Sequence, residues 1–213
     1  SRVLDIHGNG ISGSWLHALY QKNLEIGNFE LANIAHLNIS DVQYYEGDSL
    51  KQWILPDIKD NVFGSNESTI SQYYLDIIEK YNPDVIHIWG VESITPVILN
   101  IISNNKKYSI LLEIQGLLGP ISNYVYSGLS ILEMLKCVGV KELLRFNTIF
   151  HQKLYFHKKA ELESHIISNV KYICAPSDWM AVNVSFLNNS AKIYKNHLPI
   201  RKEFNLAKKW NYN

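Results

Sequence analysis

The sequence predicts an α/β fold in which a parallel, Rossmann-like sheet is flanked by helices on both faces. Apolar runs of strand length alternate with longer stretches at helical spacing, which is the pattern of repeated strand and helix units. One run, DVIHIWG at residues 84–90, is almost continuously apolar, as expected of a central strand that is buried on both faces. The chain has 213 residues, of which 46% are hydrophobic, so it can bury a sizeable core.

The predicted strands are short apolar runs bounded by turn residues. They lie near Val3–His7, Phe29–Leu37, Asp84–Trp89, Tyr108–Ile114, Tyr172–Ala175 and Ile193–Tyr194. Amphipathic spacing predicts helices between them. The clearest are Ser14–Glu25, Thr69–Lys80, Ile94–Ser103 and Asp178–Leu187. We also expect a loop containing glycine and proline at residues 116–127, and one long helical stretch from about Leu129 to Ile167.

Charge and cysteine content bound the class of protein. The net charge is zero, but residues 1–119 have a net charge of −7 and residues 120–213 a net charge of +7. The basic half can face phosphates or an anionic membrane, or it can be a solvated surface beside its acidic neighbour. Cys137 and Cys174 lie far apart in the sequence and do not form a metal-binding motif such as CxxC. Neither a disulfide framework nor a zinc site is indicated, which favours the reducing cytoplasm. We see no signal peptide, membrane-spanning run or nucleic-acid recognition motif.

A glycine-rich turn, GNGISG at residues 8–13, lies between a predicted strand and a predicted helix. Glycines let backbone amides approach an anion, and a helix N-terminus is partly positive, so Gly10, Gly13 and Ser14 are candidate phosphate contacts. A nicotinamide-binding domain would also need an acidic residue at the end of the second strand, but Asp41 lies beyond that end. A dinucleotide site and a tight turn without a ligand both stay open.

Several segments, taken in order, resemble glycosyltransferase family 4, whose enzymes have the GT-B fold, and especially the members that assemble bacterial capsular and other surface polysaccharides. The segments are SGSW (12–15), PDVIHIWGVE (83–92), SILLEIQGLLGP (109–120), ELESHIISNVKYICAPSDW (161–179) and KIYKNHLPIRKEF (192–204). The resemblance implies that residues 1–204 are the acceptor-side, N-terminal domain and that residues 205–213 begin the linker to an absent second domain. That domain carries an E-x7-E pair in the family, and no two glutamates here have this spacing. We therefore expect no transfer activity from the chain alone.

The resemblance also implies a reaction and its site. The reaction is a retaining transfer of a sugar from a nucleotide sugar to a growing surface glycan or lipid-linked acceptor, without an essential metal or other cofactor. Gln115 occupies the position at which many members have a histidine, and it is our candidate catalytic residue, as a group that orients a sugar hydroxyl. The candidate donor-phosphate or acceptor-binding residues are Gly10, Gly13, Ser14, Trp15, Gly90, Glu92, Gly116, Ser177 and Asn196. A favourable charge at a helix N-terminus also explains Glu92, and a helix N-cap also explains Ser177.

Two questions stay open. Large apolar residues interleave with lysine and arginine from Leu129 to Ile167. This pattern is compatible with peripheral contact at the inner face of the membrane, and also with the commoner arrangement in which a helix packs its apolar face on the sheet. The alternative functions are a sugar-nucleotide epimerase of the same architecture and a sugar- or nucleotide-binding module without catalysis. Nucleic acid is not an expected partner.

Overall fold

The structure is a computed structural model that describes residues 14–47, 50–57, 67–91, 94–104, 107–196 and 206–208. The chain divides into two compact units, one of residues 1–59 and 197–213 and the other of residues 60–196. The predicted α/β fold class is confirmed, because the second unit contains an all-parallel sheet flanked by helices. The predicted strand Val3–His7 and the glycine-rich turn lie outside the described residues. The domain boundary at residue 204 stays a prediction.

The first unit contains helix α1 (Ser14–Ile26) and a three-stranded sheet. Its strands are β1 (Leu31–Leu37), β2 (Gln43–Glu46) and β3 (Leu50–Pro56), in the order β1-β3-β2. Strand β3 is parallel to β1 and antiparallel to β2. Our prediction omits β2 and β3, although YYEGDSLKQW consists of two strand-like runs separated by turn residues, which is typical of a hairpin.

The second unit alternates helices and strands. Its elements are α2 (Glu67–Tyr81), β4 (Val85–Trp89), α3 (Thr95–Asn104), β5 (Ser109–Glu113), α4 (Leu118–Tyr124), α5 (Ile131–Lys136), α6 (Val140–Leu144), α7 (Ile149–Asn169), β6 (Tyr172–Ala175), α8 (Asp178–Leu187) and β7 (Lys192–Lys195). The strands are parallel and follow one another in the order β4-β5-β6-β7. Each connection leads from one strand to the next one along the sheet, always in the same direction, and crossovers between parallel strands are right-handed. Helices α3, α7 and α8, which lie in these connections, therefore cover the same face of the sheet.

The register of this sheet separates its two faces. Ile88, Leu112 and Ile173 are aligned on neighbouring strands, and all three are buried. The next row, Trp89, Glu113 and Cys174, points to the opposite face because side chains alternate along a strand. The first row is entirely apolar, whereas the second row carries polar chemistry.

The predicted loop at residues 116–127 is wrong, because this stretch contains α4. Glycine and proline suggested a break in the chain, but Pro120 lies in the first turn of the helix. The N–H that proline lacks has no intrahelical partner at that position, so the residue is tolerated there.

The single helix predicted from Leu129 to Ile167 is also wrong, because this stretch contains the separate helices α5, α6 and α7. Gly139 is the N-cap of α6. Thr148 begins α7 through a capping box, in which its side chain accepts from the His151 N–H. The apolar spacing correctly predicted helical structure, but the N-caps at Gly139 and Thr148 begin new helices within the stretch.

The turn from α6 to α7 holds Phe146 in the left-handed region, with φ of 51°. The Phe146 N–H donates to the Leu143 carbonyl at 3.2 Å, and the Asn147 N–H donates to the Glu142 carbonyl at 2.9 Å. This is a Schellman arrangement, in which glycine usually occupies the left-handed position. A side chain there costs roughly 1–2 kcal/mol.

Candidate functional site

The carboxyl ends of the four parallel strands meet at one edge of the second unit's sheet. Open α/β sheets bind their ligands outside this edge. Five of our candidate residues lie within three residues of these strand ends, and they are Gly90, Gln115, Gly116, Ser177 and Asn196. The fold therefore brings together candidates that are far apart in the sequence.

Gly90 ends β4 with a left-handed backbone, at φ of 71°. Its N–H donates to the Glu113 carbonyl at 2.9 Å, which extends the pairing of β4 with β5 by one residue. A side chain would strain this conformation, so the position favours glycine.

Gln115 lies two residues beyond the end of β5 and is half-buried. Its Nε2 atom is buried, and it finds no hydrogen-bond partner in the part of the chain that the structure describes. A buried donor without an acceptor costs about 1–3 kcal/mol, so such groups usually have a functional explanation. A ligand oxygen at the sheet edge would satisfy this amide.

Glu113, the last residue of β5, is a feature that our prediction did not single out. Its side chain is 0% exposed, and neither carboxylate oxygen accepts a hydrogen bond from an N–H or O–H group of the residues described. The His87 Nε2 atom is 3.6 Å from Glu113 Oε2, and the His87 ring lies against Trp89 with centroids 4.5 Å apart. A buried carboxylate costs several kcal/mol unless donors or a cation face it. Glu113 is therefore a buried acceptor two residues before Gln115 in the chain.

Cys174 lies beside Glu113 in the register of β5 and β6. Burial, reinforced by the Glu113 carboxylate, raises the pKa of the Cys174 thiol from 9.0 to about 12. The thiol is consequently protonated at neutral pH. It can donate a weak hydrogen bond, but it is not a nucleophile.

Glu163, from the middle of α7, fixes the segment that follows Gln115. Its Oε2 atom accepts from the Leu118 N–H at 2.7 Å and from the Gly119 N–H at 3.4 Å. The buried carboxylate thus satisfies amides that begin α4 and faces the positive end of the helix dipole. The N-terminus of α4 is occupied by the protein's own side chain.

Ser177 caps α8, because its Oγ atom accepts from the Met180 N–H at 3.2 Å. The N-cap interpretation of this residue is therefore confirmed, whereas a contact with ligand stays a prediction. Trp179 is exposed in the first turn of the same helix, and the neighbouring Asp178 forms an ion pair with Lys195 at the end of β7.

A cleft of about 500 Å³ opens between α4, α7 and α8. Asn123, His157 and Asn183 are among the residues that line it, with Glu163 at one side. None of our candidate site residues is among its lining residues. The strand ends and this cleft are therefore separate features of the second unit.

The remaining candidates are only partly described. Gly10, Gly13 and Glu92 lie outside the described residues. Ser14 and Trp15 begin α1 in the first unit, but their side chains are not described. Within the described ranges, no group of three or more side chains could hold a metal ion, and no helix has the length and apolar character needed to span a bilayer.

The sequence matches no protein-family model, and no curated protein is significantly similar to it. The residues at the sheet edge therefore carry the inference about function.

Proposed function

We propose that the chain is the acceptor-side half of a retaining, nucleotide-sugar-dependent glycosyltransferase, and that its second unit binds a sugar hydroxyl at the carboxyl edge of its sheet. One observation carries the proposal, namely the buried Gln115 amide nitrogen that has no acceptor among the described residues. A sugar hydroxyl accepts hydrogen bonds, so it can satisfy the Gln115 donor.

Gln115 has a positioning role in this reaction. Its amide holds the attacking hydroxyl beside the anomeric carbon, but an amide does not take up a proton at neutral pH. The new bond joins the acceptor oxygen to the anomeric carbon, while the bond from that carbon to the donor phosphate breaks. The hydroxyl proton passes to the departing phosphate oxygen. Protonated Cys174 forms no covalent intermediate in this scheme.

The proposal assigns the donor to other parts of the protein. The resemblance to glycosyltransferase family 4 places most contacts with the nucleotide sugar on a second α/β domain, with a glycan or lipid-linked acceptor on this one. The glycine-rich turn at residues 8–13 is the phosphate contact that we expect from this chain. We expect the enzyme to act in the cytoplasm, at or near the membrane, without a metal.

The test is a transfer assay on the complete protein with a panel of nucleotide sugars and surface-glycan or lipid-linked acceptors. Gln115→Ala should lower turnover about tenfold, the equivalent of one lost hydrogen bond in the transition state. The matched control is Gln72→Ala, which alters an exposed glutamine of α2 that contacts only Asp76 among the hydrogen bonds described. Its turnover should equal that of the wild type.

Three results would change the proposal. Equal turnover of Gln115→Ala and the wild type rejects the role of Gln115. If NMR chemical-shift changes show that sugar binds at the sheet edge, but no donor supports transfer, the protein is a binding module. Neither binding nor transfer removes the sheet edge as a sugar site.

A further inference from the structure

Helices α5 and α6 present large apolar side chains to solvent. Neither helix has a single buried residue. Ile131, Leu132, Val140, Leu144 and Phe146 are each between 68% and 77% exposed. We call these five side chains, with the cations between them, the apolar–basic surface. Packing on the sheet, the commoner role of such helices, does not explain them.

The apolar and charged residues of these helices are segregated. On α5, Ile131, Leu132 and Leu135 fall on one stripe at about 100° per residue, whereas Glu133 and Lys136 fall beside it. On α6, Leu144 shares a stripe with Val140, and Lys141 lies beside it, about 60° from Leu144 around the helix. Each helix therefore has an apolar face bordered by charge, which is the pattern of an interfacial helix.

Phe146 adds an independent observation. It is the aromatic residue held in the left-handed turn between α6 and α7, where glycine would fit without strain. Its ring contacts His151 edge-on at 5.5 Å but is otherwise exposed. An unfavourable backbone that displays an aromatic side chain to solvent is the kind of outlier that indicates a function.

The charge around this surface is positive. Residues 129–154 contain Lys136, Lys141, Arg145 and Lys153 against Glu133 and Glu142, and all four cations are exposed. Glu133 is engaged locally, since its Oε2 accepts from the Ser130 N–H at 2.8 Å and from the Ser130 hydroxyl at 2.7 Å. The four exposed cations are therefore available to bind an external anion.

We propose that the apolar–basic surface docks on an anionic lipid bilayer. The apolar tips enter the boundary between headgroups and acyl chains, and the lysine and arginine side chains meet lipid phosphates. A second copy of the chain is a poorer occupant, because a twofold interface would place the same cations opposite one another. This docking is independent of the chemistry at the sheet edge.

The experiment is flotation of the purified chain with vesicles of phosphatidylcholine alone or mixed with phosphatidylglycerol. Binding to the anionic vesicles should be stronger by at least about tenfold and should fall with salt, since each cation near the surface contributes about fivefold. The double variant Leu144→Ser/Phe146→Ser should bind at least about tenfold more weakly. The matched control is Phe186→Ser on α8, because Phe186 is 85% exposed but lies outside this surface.

The charge contribution is tested with Lys141→Gln/Arg145→Gln, which should lose more than about tenfold in affinity for anionic vesicles. All these positions are exposed, so melting temperatures should be unchanged and confirm that each variant folds. Failure of the wild type to float with anionic vesicles at low salt overturns the proposal. So does a dimer in analytical ultracentrifugation that Leu144→Ser/Phe146→Ser abolishes while vesicle binding is unaffected.

Discussion

Replacing Glu163 with alanine should loosen the start of α4. The substitution removes the carboxylate that accepts from the Leu118 and Gly119 amides at 2.7 and 3.4 Å. The shorter bond is charge-assisted and buried, so its loss costs about 1.5–3 kcal/mol, and the longer bond adds little. With the unfilled space left by the side chain, we expect a loss of about 3 kcal/mol in the free energy of unfolding.

Two further variants separate the causes. Glu163→Gln keeps an oxygen that can accept from Leu118 but loses the charge, and it should cost about 1 kcal/mol. Glu161→Ala removes an exposed carboxylate from the same helix and should change stability by less than about 0.5 kcal/mol. Urea unfolding followed by circular dichroism measures all three variants. If Glu163→Ala and Glu161→Ala lose the same free energy of unfolding, the capping role is refuted. If Glu163→Gln loses as much as Glu163→Ala, the hydrogen bond and the charge do not make the separate contributions assumed here.

This cap also has a consequence for the site. Helix α4 begins two residues after Gly116, so the carboxylate that fixes α4 also fixes the segment that carries Gln115. Glu163→Ala should therefore weaken ligand binding at the sheet edge without removing a group that touches the ligand. Ligand affinity measured well below the unfolding transition, in Glu163→Ala beside Glu161→Ala, checks this indirect effect.

Two other predictions follow from buried groups. Asn188 Nδ2 donates to the Ile167 and Val170 carbonyls at 2.8 and 3.0 Å, and both carbonyls would lose this donor in Asn188→Ala. The substitution should therefore lower the free energy of unfolding, measured in urea, by about 2–4 kcal/mol. A change below about 0.5 kcal/mol would contradict this prediction. At pH 8, exposed Cys137 should react with iodoacetamide while Cys174 does not, because a raised pKa of about 12 keeps the Cys174 thiol protonated until the pH approaches that value. Peptide mass spectrometry distinguishes the two, and equal labelling of the folded chain would be inconsistent with the buried thiol.

The fold class follows from the sequence because a buried parallel sheet leaves a strong local pattern. The strand Tyr172–Ala175 and the helix Asp178–Leu187 have the predicted bounds, since apolar runs and a serine cap mark them within a few residues. The hairpin of β2 and β3 was missed, although a turn signal was present. The break at Gly139 was missed because the apolar spacing continues across it.

The sheet edge was predictable in outline only. Residues that end strands were identified from their positions, and the topology then brings Gly90 and Gln115 to one edge. The buried state of Glu113 was not predictable, because it depends on His87 and Cys174 from neighbouring strands. The contact of Glu163 with Leu118 spans 45 positions, and no local pattern reports such a pairing.

The stretch between α4 and α7 has a consequence for how proteins with this sheet can diverge. Strands β5 and β6 are neighbours although residues 114–171 separate them in the chain, and α5 and α6 add nothing to the core in between. Doubling the length of such a connection costs only about 0.6 kcal/mol in closure entropy. Mutation can thus lengthen, trim or replace this stretch while the sheet stays intact. The docking surface of α5 and α6 can therefore evolve separately from the binding site at the sheet edge.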